Sequence, residues 1–206
     1  MSCKLKQLLA LGLAAAFTGG AAIAADTAPM TAMNMYGGPV YAGAPALTVT
    51  AALVKAGGGA GHFSLQHALV SMLGKDTVNA EVAKLTKQYG KQNVSDWING
   101  FDYAVADGLT LATKAGVKLP AAPQDLAGAK LAGTLVDAGS APDGTFWSGL
   151  VFDKALSHDI HNQVMVDIET KYSTPYDKNL HAITNQAMYD VGQALGKKQT
   201  KLASLH

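Results

Sequence analysis

The residues of this chain best suited to chemistry fall in one late stretch, His158-Asp159-Ile160-His161 followed by Met165, with His181 and Met188 further on. On a helix, positions 158, 161, 165, 168 and 172 share a face, which lines up two imidazoles and a thioether with Ile168 and Tyr172. Imidazole and thioether are borderline-to-soft donors suited to copper, iron or zinc. His158, His161, Met165 and His181 are therefore the candidate metal ligands, and copper and haem the candidate cofactors. A milder form of the same binding role is a pocket for a small apolar ligand between helices. The competing account makes His158 a first-turn residue facing water and His161 a satisfied core histidine. An H-x-x-H pair lacks the carboxylate of H-E-x-x-H, and the paired Glu and Glu-x-x-His pattern of di-iron bundles is missing.

Two further groups carry weaker signals. Met30, Met33 and Met35 are closely spaced thioethers of the kind that can wrap Cu(I), although no histidine flanks them. The run Gly57-Gly58-Gly59-Ala60-Gly61-His62 leads into a helix bearing His67, but it lacks the Lys and Ser/Thr of a phosphate loop, so a hinge between helices accounts for it better. Nucleophilic catalysis has no support: there is no G-x-S-x-G elbow and no Ser/His/Asp set linked by spacing. The expectation leans to a protein that is not an enzyme.

The elements that must position these residues read as helices. Leu47 to Ala56 stops at Gly57, Ser64 can cap a helix ending at Gly74, and Asp76 can cap another whose Val78, Val82, Leu85 and Tyr89 recur at helical spacing before Gly90. A longer helix over 94–115 carries the stripe Trp97, Ile98, Phe101, Val105, Leu109 and Ala112, with Asp102, Tyr103 and Asp107 expected on its solvated side. Ala/Gly-rich 123–138 makes a weaker helix. After the turn Pro142-Asp143-Gly144, a helix from Thr145 to Leu156 either stops at Ser157 or continues into His158–Tyr172. Thr174-Pro175-Tyr176-Asp177 opens the last helix, whose Leu180, Ile183, Ala187, Val191 and Leu195 form the buried face.

The first 25 residues have the order of an export signal: Lys4 and Lys6, an apolar run from Leu8 to Phe17, and small residues ending at Ala25. That run is too short for a membrane span, which needs about 20 apolar residues. Cys3, the single cysteine, lies inside this segment, so the mature chain must fold without a disulfide.

Charge excludes some partners. The whole chain has 16 Lys+Arg and 15 Asp+Glu, all 16 cations are lysine, and loss of Lys4 and Lys6 with the signal leaves 14 against 15. Without arginine and without a basic cluster beyond the Lys197, Lys198 and Lys201 tail, nucleic-acid binding is not expected.

The expected whole is an all-α chain. It has a cleaved signal peptide at 1–25, a flexible Ala/Gly/Met-containing leader at 26–45, a single compact bundle of about seven helices at 46–196, and a basic tail at 197–206. Its expected role is that of a periplasmic or secreted binding protein with no membrane span in the mature chain. The alternative is a non-catalytic envelope interaction or structural module, in which the small-residue helices at 47–56 and 124–138 offer Ala/Gly faces to a protein partner or a second copy.

Overall fold

Single glycines set the angles between the early helices. In the computed structural model, which describes residues 32–33, 39–40, 44–141, 146, 148–172 and 174–197, α1 (Ala44–Ala56) is followed by α2 (Leu65–Leu73), α3 (Lys75–Tyr89) and α4 (Lys91–Lys114). Gly74 ends α2 and starts α3 at φ 83°, and Gly90 ends α3 and starts α4 at φ 89°. A side chain is strained at such angles, so each joint needs only its one glycine. Ser64 caps α2 as expected, its Oγ accepting the His67 N–H at 3.4 Å. Asp76 does not cap α3: that place belongs to Gly74, and Asp76 lies in the first turn, where its charge complements the helix dipole.

The remaining helices are α5 (Gly128–Ala138), α6 (Ser148–Leu156), α7 (His158–Lys171) and α8 (Thr174–Ala194), making eight among the described residues. α5 starts later than Pro123 because Ala127 is extended at φ −143° and no side chain caps the segment earlier. Within the expected leader, Ala32–Met33 (β1) and Pro39–Val40 (β2) pair antiparallel, Ala32 opposite Val40. The export signal, Met30, Met35, the Pro142-Asp143-Gly144 turn, Thr145, Trp147 and the tail beyond Lys197 lie outside the described residues.

α4 is the hub, packing against α3, α7 and α8. Its buried surface is wider than one stripe, with Val94, Trp97, Val105, Leu109 and Ala112 joined by Gly100, Ala104 and Gly108. The last three, four residues apart, make a smooth strip that lets a neighbouring helix come close. Trp97 Nε1 donates to Thr184 Oγ1 on α8 at 2.7 Å, which satisfies the indole inside the core.

The small-residue helices turn inward. Val49, Ala51, Ala52 and Val54 of α1 and Leu131, Ala132, Gly133, Leu135 and Val136 of α5 are buried, and the two helices pack on each other and on α2 and α6. Ala51, Ala52, Ala132 and Gly133 thus pack within the core, while Ala129 of α5 remains exposed. No helix among the described residues is long and apolar enough to cross a membrane.

Candidate metal centre

The site begins with a break in the chain at Ser157. This is the one non-glycine residue with positive φ among the described residues, at φ 99° and ψ 157°. Its Oγ accepts the Ile160 N–H at 3.4 Å and its carbonyl accepts the His161 N–H at 3.1 Å, so one serine both stops α6 and caps α7. The two helices then pack against each other, and the first turn of α7 faces the last turn of α6.

That contact brings Asp153 of α6 to both histidines of α7. His161 Nδ1 lies 2.7 Å from Asp153 Oδ1, and His158 Nδ1 lies 3.3 Å from the same oxygen. Asp153 and His161 are both 0% exposed, whereas the His158 side chain is 30% exposed and closes the cluster on its solvent side. An ionised carboxylate only accepts hydrogen bonds, so with Asp153 ionised each Nδ1 carries the ring proton in this arrangement. The second oxygen, Asp153 Oδ2, is buried and has no hydrogen-bond partner among the described residues.

One donor atom from each of Asp153, His158 and His161 can be chosen so that all lie within 4.8 Å of one another. Ligands held by one Zn²⁺ at about 2.0–2.2 Å in a tetrahedron sit roughly 3.3 Å apart. The Asp153–His158 separation already has that value; to admit an ion between these atoms, the Asp153–His161 contact must lengthen by about half an ångström and each Nδ1 must give up its ring proton. A carboxylate and two imidazoles form a borderline-to-hard donor set that suits a divalent ion better than Cu(I).

The four ligands expected from sequence separate into two pairs. His158 and His161 meet at Asp153. Met165 and His181 meet each other, with His181 Nε2 3.1 Å from Met165 Sδ, as antiparallel neighbours α7 and α8 would place them. Along the shared face, His161 and Ile168 are fully buried and Tyr172 is exposed. His62 and His67 are exposed on the other side of the glycine loop and form no part of this group.

Asp153 is the residue that helical spacing on one element misses. Its signal in the sequence is chemical rather than periodic: an acid set in the apolar run Leu150-Val151-Phe152-Asp153 and followed by Ala155-Leu156. A carboxylate in such a run must find a partner or distort the fold.

Three residues expected on a solvated face of α4 are engaged instead. Asp102 Oδ1 accepts the Leu65 N–H at 2.6 Å and so tethers the start of α2 to α4, while burial holds its carboxyl above the usual range. Burial, and then the neighbouring Asp167, also raise Asp107. Tyr103 stacks edge-on with Tyr172, and the Lys171 ammonium lies 3.8 Å from its ring centre.

A second polar cluster joins α3 to α8. Lys84 Nζ pairs with Asp190 Oδ2 at 2.5 Å. Burial, followed by the hydrogen bond and charge of Asp190, pushes Glu81 up to about 7. Burial works to raise Asp190 as well, but hydrogen bonds from Lys84, Glu81 and Gln186 hold it below the ordinary carboxylate range.

Comparison with protein-family models, with curated proteins and with solved structures finds no match for this chain, so the function must be argued from its own chemistry.

Proposed function

We propose that this chain is an exported helical binding protein that takes one divalent transition-metal ion, Zn²⁺ or Cu²⁺, at Asp153, His158 and His161. The observation that carries the reading is the convergence of both histidines on Asp153 Oδ1, with Asp153 and His161 wholly buried and the second carboxylate oxygen, Oδ2, left without a hydrogen-bond partner among the described residues. A cation there would offset the cost of a buried negative charge. His158, the one partly exposed member, gives the ion a route in and leaves room for a water or an exogenous ligand to complete the coordination. The strained backbone of Ser157 supports the same reading, because such conformations concentrate at sites where geometry matters more than local comfort. Export is supported by the order of charged, apolar and small residues at 1–25.

Titration calorimetry with Zn²⁺ and Cu²⁺ tests the binding directly. One ion per chain is expected, with affinity reduced at least tenfold in Asp153→Asn and His161→Ala and unchanged in His181→Ala. Absence of binding by the folded wild-type chain, or full binding by both site variants, overturns the reading. The N-terminal residue of the protein recovered outside the cytoplasm tests export, with Ala25 or Asp26 expected.

A further inference from the structure

Between α1, α2, α3, α4, α5, α6 and α8 the core leaves an apolar cavity of about 100 Å³, with Leu65, Leu85, Trp97, Leu109, Leu156 and Val191 among its walls. Its few polar lining residues are Thr50, Thr184 and Glu81. Thr184 is already committed, since it accepts from Trp97 and donates to the Leu180 carbonyl at 2.7 Å. Glu81 differs: its Oε1 is buried and has no hydrogen-bond partner among the described residues, while the rest of the side chain is only half-buried.

We propose that this cavity is a binding site for a small apolar amine, whose alkyl body fills the space beside Trp97 and whose ammonium is received by Glu81. Charge decides in favour of an amine over a carboxylic acid. Lys84 and Asp190 neutralise each other in their ion pair, so Glu81, once it gives up the proton through which it bonds Asp190, is the uncompensated charge of the cluster. An incoming ammonium supplies the missing donor and the missing positive charge together, whereas a carboxylate would meet repulsion. Size sets the scale: an apolar cavity of roughly 150 Å³ can hold the six carbons of benzene, so this one, about two-thirds as large, suits an alkyl body of about four carbons. The site is separate from Asp153, His158 and His161, none of which lines it. Because Glu81 holds its proton up to about pH 7 in the empty protein, amine binding at that pH releases a proton from it.

The full chain titrated with n-butylamine at pH 7, followed by calorimetry in two buffers of different ionisation enthalpy and by tryptophan emission, tests this. Expected are saturable binding, proton release, an emission shift, and weaker binding at pH 5, where Glu81 is protonated. Glu81→Gln should weaken butylamine at least tenfold and leave xenon binding unaltered, and Ala187→Leu, which fills the cavity, should abolish both. Failure of the wild-type chain to bind butylamine, or equal affinity at pH 5 and pH 7, overturns the proposal even where a variant does not fold. Equal butylamine affinity in a folded Glu81→Gln does the same.

Discussion

Asp153 Oδ1 and His161 Nδ1 lie 2.7 Å apart with neither side chain in contact with water. A buried pair of this kind adds little net stability while both partners are present, because desolvation offsets their attraction, but losing one partner strands the other. Asp153→Ala is therefore expected to destabilise the fold by about 3–5 kcal/mol. Asp153→Asn, which keeps the shape and an acceptor oxygen, should cost less. Urea unfolding of the two variants side by side measures the difference, and equal losses would show that charge, not shape, is what the site requires.

Ser157 invites the opposite outcome. Its φ of 99° with ψ of 157° lies in a region that glycine occupies freely and serine does not, at a cost of about 1–3 kcal/mol. Replacing a serine cap by glycine loses only a few tenths of a kcal/mol. Ser157→Gly should thus raise stability by about 1 kcal/mol, read as a higher urea midpoint at unchanged slope. A lower midpoint would mean that the Oγ bond to Ile160 outweighs the relief of strain.

Gly139 meets the Phe146 ring, which occupies the space an added Cβ would need. Phe146 is itself 1% exposed and pairs with Ser140 through an isolated bridge, so it has little freedom to move away. Gly139→Ala is expected to cost about 1–3 kcal/mol through overpacking. Thermal melting of Gly139→Ala, with Gly61→Ala as a control where nothing lies within 4 Å, separates crowding from any general effect of losing a glycine.

The Glu81 cluster gives stability a pH dependence. The Glu81 pKa rises from 4.5 in the unfolded chain to about 7 in the fold, so between those values the folded state binds the extra proton. Its contribution is complete below about pH 4.5 and is lost as pH climbs through 7. Partial exposure screens the effect to on the order of 1 kcal/mol. Lys84, Asp190 and Tyr89 face the same cluster; Asp190, held below its ordinary value, gives a slope of opposite sign in the more acidic range. Denaturation from pH 5 to pH 8 should show the Glu81 decline in the wild type and a flatter profile in Glu81→Gln.

Much of the scaffold was open to reading because its stops are chemical. Gly57, Gly74, Gly90 and Gly139 each directly follow the last residue of a helix. The stripes of α3, α4 and α8 bury because a period near 3.6 leaves them no other arrangement, as Leu85, Trp97 and Ile183 show. Tertiary partners were hidden by the same logic. Asp102 and Asp107 sit on what helical spacing marks as a polar face, and only the approach of α2 and α7 reveals their engagement with Leu65 and Asp167. The histidines were visible as a pair, but Asp153 was not, since its partnership crosses a break whose direction follows from one unusual backbone angle.

That angle has a consequence for how the site comes to exist. On an uninterrupted helix, residues eight apart stand about 12 Å from one another along the axis. Here Asp153 and His161 touch, and all three candidate ligands come from nine consecutive positions. So short a segment brings its donors together at small loop-closure cost, with no distant stretch of chain having to be recruited.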